Sequence, residues 1–116
     1  RLETVQELLQ RARRRKVAVY LPQDLVVASQ FSADPKGVKT VPVDRVPEGW
    51  FIMDIGEATA RQYAQGLGDC RTIIWNGPLG LFEIPPFDEG TRDIAQFIST
   101  LDATTIIGGG DTAGNI

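Results

Sequence analysis

The run Gly108-Gly109-Gly110-Asp111-Thr112 follows the apolar stretch 104–107 and opens what reads as the first turn of a helix. Glycines let a ligand touch the main chain, and the first amides of a helix point outward without partners. Together they form an anion site, most naturally for phosphate, and the Thr112 hydroxyl adds a further donor there. The plainer alternative is a tight strand-to-helix turn capped by Asp111 or Thr112, since both residue types favour a cap. Three consecutive glycines exceed what a cap requires, which weights the reading toward phosphate. Asp111 sharpens it further. A carboxylate among phosphate oxygens repels them unless a cation lies between. Nucleotide-bound magnesium is such a cation, held by one or two carboxylates with phosphate oxygens beside them.

The same turn satisfies the dinucleotide pattern G-x-G-x-x-A at Gly108, Gly110 and Ala113. The acidic residue which that pattern places about 20 positions further on falls past Ile116, and Asp111 opposes a bare pyrophosphate. An NAD-binding reading therefore ranks behind a magnesium–nucleotide one. A second loop, Trp75-Asn76-Gly77-Pro78-Leu79-Gly80-Leu81-Phe82-Glu83, follows another apolar run. Asn-Gly-Pro forces a sharp turn and stops a strand. The residues after it either wall a flat pocket, with Glu83 accepting hydrogen bonds from a ribose, or form an ordered loop with a hydrophobic plug. Composition leaves these two readings even.

The elements that must position these loops follow from periodicity. Val5, Leu8, Leu9 and Ala12 recur at helical spacing, as do Ala60, Tyr63, Ala64 and Leu67, and Ile94, Phe97, Ile98 and Leu101. Each set predicts an amphipathic helix with one buried stripe. Between them lie the short apolar runs KVAVYLP, FIMDIG, TIIWNG and TTIIGGG. These lack clean alternation, as expected of parallel strands covered on both faces. KTVPVD, interrupted by Pro42, predicts an extended segment at an edge or in a connection. Phe31, Trp50 and Met53 are expected in the core. The alternation predicts an α/β fold, an open parallel sheet with helices on both faces and right-handed crossovers, Rossmann-like in kind. Ligands in such sheets sit beyond the carboxyl ends of the strands. That rule selects three loops: residues 54–56, 76–83 and 108–112. Both termini interrupt an element, so the chain is expected to be an incomplete domain of a larger α/β protein.

Composition removes several function classes. A net charge of −3 argues against nucleic acid, whose partners normally present a basic surface. The basic run Arg11, Arg13, Arg14, Arg15, Lys16 ends a predicted helix, where cations suit the dipole. With no histidine and a single cysteine, Cys70, the chain offers no common zinc arrangement, no Ser-His or Cys-His pair and no internal disulfide. No apolar stretch approaches the ~20 residues that span a bilayer. The expected location is the cytoplasm.

The two loops resemble those of the phosphoglycerate kinase family, which carries a WNGP-[hydrophobic]-G-x-FE loop and a GGGD-[ST]-A turn. They stand here at Trp75–Glu83 and Gly108–Ala113. The likeness extends through LPQDLVVASQF (21–31), VPEGW (46–50) and Phe87-Asp88-Glu89-Gly90-Thr91, uncommon motifs in the family's order. The resemblance implies that residues 1–116 form part of a C-terminal, nucleotide-binding domain. It implies a glycolytic phosphotransferase that exchanges a phosphoryl group between 1,3-bisphosphoglycerate and ADP, giving 3-phosphoglycerate and ATP, with magnesium. The phosphoglycerate would be held by an N-terminal domain outside this sequence, so the chain alone is expected to be inactive. Carried over, Asp111 would contact the nucleotide's magnesium, while Thr112 and the amides of Gly109 and Gly110 would hold phosphate oxygens. Those two amides, aimed at the equatorial oxygens, would supply the catalytic electrostatic stabilisation. Asn76 would lie beside the phosphates, Pro78 and Leu81 along the adenine, and Glu83 at the ribose. Ile52 departs from the family, standing where a glycine usually borders the nucleotide. A non-catalytic nucleotide-binding or assembly module is the alternative, since an exposed sheet edge or apolar face invites partner chains.

Overall fold

The computed structural model describes residues 1–32 and 35–108. All three helical spacings form helices: α1 (Leu2–Arg14), α2 (Glu57–Leu67) and α3 (Glu89–Ser99). Helix α1 ends as its basic run predicts, with Arg11, Arg13 and Arg14 in the last turn. Lys16 then takes a left-handed conformation at φ 58°. The N–H of Val17 reaches the carbonyl of Ala12, and that of Lys16 the carbonyl of Arg13. This paired closure satisfies two of the orphan carbonyls at the helix end.

The strands depart from a single parallel sheet. Five form: β1 (Asp24–Ala28), β2 (Val38–Pro42), β3 (Phe51–Ile55), β4 (Thr72–Asn76) and β5 (Thr104–Gly108). Strands β4 and β5 make the expected parallel pair, with Thr72 opposite Thr104 and Asn76 opposite Gly108. A parallel pair needs a long crossover, and α3 lies within it. The other three strands form an antiparallel sheet in the order β2-β1-β3. Strand β1 was not expected, and the predicted strand KVAVYLP does not form; Val17, Val19, Tyr20 and Leu21 are exposed. A strand exists only where another pairs with it, and among the described residues nothing pairs with this one. KTVPVD behaves as predicted: β2 is an edge strand whose last residue is Pro42.

Two apolar clusters hold the elements together. One joins Ala60 of α2, Ile94 and Ile98 of α3, and Ile73 and Trp75 of β4. The second joins Ala28, Met53 and Phe87. The predicted burial of both sheet faces and of all three helical stripes fails in two places. Ile74 and Ile106, on the other face of the parallel pair, are 72% and 52% exposed. Helix α1 buries no residue. The apolar pattern is present in both, but among the described residues it is not buried. Met53 is core as expected, whereas Trp50 is half-buried and Phe31 is 62% exposed, its ring meeting Phe51 edge-on.

Helices α2 and α3 share one device. Neither has a side-chain cap of its own, and each is capped by an aspartate from the antiparallel sheet. Asp24 of β1 accepts the N–H groups of Ala58 and Thr59 at 3.2 and 2.8 Å. Asp54 of β3 accepts the N–H of Gly90 at 2.8 Å. These are orphan donors of the first helical turn, which a carboxylate satisfies while meeting the positive end of the dipole. Gly56 has to be glycine here, because a Cβ would collide with the Asp24 carboxyl group.

Candidate functional site

The site begins at the carboxyl ends of β4 and β5. Their in-register pairing sets Asn76 beside Gly108, close enough that a Cβ on Gly108 would stand 3.2 Å from the Asn76 Oδ1. The loop after β4 therefore leaves the sheet next to the point where residues 109–112 begin. Gly109, Gly110, Asp111 and Thr112 lie outside the described residues. Asn76, Pro78 and Glu83 are exposed, and Leu81 is half-buried.

The loop itself is tightly held. Gly77 and Gly80 adopt φ of 92° and 75°, conformations that side chains resist and glycine accepts. The Trp75 indole N–H donates to the Gly77 carbonyl at 2.7 Å. Leu79 packs on the helix–strand cluster and Leu81 on the cluster of Ala28, Met53 and Phe87. The plug that composition could not separate from a pocket wall is thus present in part. Both leucines anchor the loop, while Pro78 and Glu83 face outward.

Two groups stand directly beneath this loop: Thr91, to which sequence reasoning gave no individual role, and Asp54, expected in a ligand loop at 54–56 but found buried within β3. Thr91, buried in α3, accepts the N–H of Leu79 at 2.9 Å and donates its hydroxyl to the Leu79 carbonyl at 2.6 Å. Asp54 is 3% exposed. Its Oδ1 accepts the Ile55 N–H and its Oδ2 the Gly90 N–H, both at 2.8 Å. Burial drives its pKa up to about 6, the hydrogen bonds from Gly90 and Ile55 lower it, and the charges of Glu89 and Asp88 raise it again. A carboxylate within an otherwise apolar strand was the available signal, since Asp is almost never fully buried unless partnered.

A bulge explains why two successive residues of β3 are both buried. Val26 faces Asp54 while Val27 faces Ile52, leaving Met53 as the extra residue. Such an insertion disrupts the ladder and re-aims side chains. The Met53 carbonyl instead accepts the N–H of Leu81 at 2.9 Å. Strand β3, helix α3 and the loop after β4 thereby meet around one buried carboxylate. Ile52, beside the bulge, is exposed.

These parts match one set of known proteins over their whole extent. The family model for phosphoglycerate kinase matches residues 1–116. The chain belongs to the phosphoglycerate kinase family. The phosphoglycerate kinase of Syntrophobacter fumaroxidans is 48% identical over 112 residues, covering 97% of this chain and 28% of that protein. That of Roseiflexus castenholzii is 49% identical over 109 residues, covering 94% and 27%. The solved structure of phosphoglycerate kinase from Coxiella burnetii superposes with a TM-score of 0.90 at 38% identity, over 97% of this chain and 29% of that one. The enzyme from Pyrococcus horikoshii gives 0.73 at 26% identity, over 96% and 27%. The Rossmann-like α/β class expected from periodicity is that of these neighbours. The chain spans a little over a quarter of the length of the relatives it matches. Among the described residues, no helix is long and apolar enough to cross a membrane.

Proposed function

We propose that residues 1–116 are part of the C-terminal, nucleotide-binding domain of a phosphoglycerate kinase and contribute the ADP/ATP side of its site. The observation that carries this reading is the register of β4 and β5, which sets Asn76 against Gly108 at adjacent strand ends. It lines up the loop 76–83 with the start of the glycine run, at the place where α/β sheets bind ligands. In the reaction, the bond from phosphorus to the acyl oxygen of 1,3-bisphosphoglycerate breaks. A bond from a terminal ADP oxygen to that phosphorus forms, and 3-phosphoglycerate leaves as a carboxylate. No proton has to move, so a chain without histidine lacks nothing for this step.

The residues divide the work by position. The amides of Gly109 and Gly110 and the hydroxyl of Thr112 would hold phosphate oxygens, with Asn76 beside them. Pro78 and the exposed part of Leu81 would flank the base, and Glu83 would accept from the ribose. Among the described residues, no group of three or more carboxylate, thiol or imidazole side chains stands ready to hold a metal. Magnesium would arrive with the nucleotide and meet Asp111, neutralising charge on the phosphates. Phosphoglycerate would bind to parts of the relatives that this chain does not span. The chain alone is then expected to bind nucleotide without turnover, in keeping with a cytoplasmic glycolytic enzyme.

Calorimetric titration with ADP, with and without magnesium, tests this. Binding that requires magnesium and is lost in Asp111→Ala supports the site. Binding of NAD that ignores magnesium, or no ADP binding at all, refutes it.

A further inference from the structure

The loop that carries Pro78, Leu81 and Glu83 makes four defined attachments to its surroundings, and two of them come from α3 and β3 side chains. Thr91 closes a ring on Leu79, satisfying both its N–H and its carbonyl. Gly80 lies against the Asp54 carboxylate, where a Cβ would stand 2.5 Å from Oδ1 and 2.7 Å from the Met53 carbonyl. The unpaired carbonyl of the bulge residue Met53 takes Leu81. Trp75 holds the Gly77 carbonyl. Asp54 also fixes Gly90, the residue directly before Thr91, so the carboxylate positions the hydroxyl as well as the floor under Gly80. One buried group thus sets the main chain of the loop from two directions.

We propose that Asp54 and Thr91 are positioning residues for the nucleotide. By locking residues 79–81 they hold Pro78, Leu81 and Glu83 in one arrangement before the ligand arrives. The assignment rests on the nucleotide reading of this loop. Neither side chain touches the ligand in it; both act through the main chain. Preorganisation of this kind removes the ordering cost from the binding step, so loosening the loop weakens binding without removing any ligand contact.

The test uses the chain with Thr91→Val, Thr91→Ser and Asp54→Asn, read by amide hydrogen exchange without ligand and by calorimetry with Mg-ADP. Thr91→Val is expected to speed exchange at Leu79 and to weaken Mg-ADP by about 5- to 30-fold, the effect of one lost partner for a buried group. Thr91→Ser restores both. Asp54→Asn speeds exchange at Gly90 and Leu81 and weakens Mg-ADP in the same direction. Exchange at Tyr63 in α2 stays as in the wild type, which separates a local lock from general destabilisation. Wild-type affinity in both Thr91→Val and Asp54→Asn overturns the proposal, as does unchanged exchange at Leu79 and Leu81. Should Asp54→Asn not fold, the Thr91 pair decides. A wild-type chain that takes up no Mg-ADP refutes the nucleotide reading instead, and exchange at Leu79 and Leu81 then judges the lock alone.

Discussion

Replacing Asp54 with asparagine removes a carboxylate that the fold ionises reluctantly. Burial lifts its pKa from the ordinary 3.8 to about 6, against the pull of the Gly90 and Ile55 N–H groups and with the charges of Glu89 and Asp88 adding to the rise. The folded chain therefore holds this proton more tightly than the unfolded one. The stability that follows is fully present below pH 3.8 and is lost as pH rises toward about 6. At ~1.36 kcal/mol per pKa unit, the gap corresponds to about 3 kcal/mol. Asparagine has no proton to lose, although it offers one acceptor in place of two, a constant penalty of about 1 kcal/mol. The stability of Asp54→Asn minus that of the wild type should thus rise by about 2.4 kcal/mol between pH 4 and pH 7, the remainder having been lost below pH 4. Urea unfolding at a series of pH values, followed by the fluorescence of Trp50 and Trp75, measures it. The opposite acid response of Asp24 is common to both proteins and cancels in the difference. A difference that stays flat across the range, or falls, refutes the burial argument.

Thr59 is fully buried, and its hydroxyl accepts the N–H groups of Gln23 and Asp24, both at 3.0 Å, while donating to the Asp24 Oδ1 at 2.5 Å. Thr59→Val should therefore cost about 3 kcal/mol in urea unfolding, and Thr59→Ser no more than ~1.5 kcal/mol. Burial raises the Asp24 pKa, but the Thr59 hydroxyl and the N–H groups of Thr59 and Ala58 more than offset this and leave it lowered. Its stabilisation is present above the ordinary carboxylate value and lost as pH falls, so Thr59→Val should also flatten the loss of stability in acid. Gly77 and Gly80 separate two costs of adding a methyl group. Both have positive φ, but a Cβ on Gly77 meets nothing within 4 Å, whereas one on Gly80 meets Asp54 and Met53. Thermal unfolding should show Gly80→Ala worse than Gly77→Ala by about 2 kcal/mol, within the usual range for overpacking.

Local pattern was enough for much of this protein. The spacing of Ala60, Tyr63, Ala64 and Leu67 and of Ile94, Phe97, Ile98 and Leu101 placed α2 and α3, and Pro42 marked β2 as an edge. The strands ending at Ile55, Asn76 and Gly108 were legible as apolar runs stopped by glycine or Asn-Gly, but the expected ligand loop 54–56 is not a loop, since Asp54 and Ile55 end β3 and Gly56 directly precedes α2. These properties depend on residues within a turn or two of each other. The family likewise follows from short motifs in order, and the nucleotide contacts proposed for Gly109, Gly110, Asp111 and Thr112 rest on that order and on the chemistry of those residue types.

Tertiary structure decided what depends on distant residues. Nothing near LVVA in sequence announces that it pairs antiparallel with both β2 and β3, nor does KVAVYLP reveal that it pairs with no described strand. The apolar stripe of α1 specified a helix but not a partner. Asp24 and Asp54 read locally as an ordinary polar residue and a strand-end acid. Only the fold brings each to the first turn of a helix more than thirty residues away. Periodicity records which face of an element avoids water, whereas a cap, a bulge or a buried carboxylate is a relation between elements, and its energy exists only once they have met.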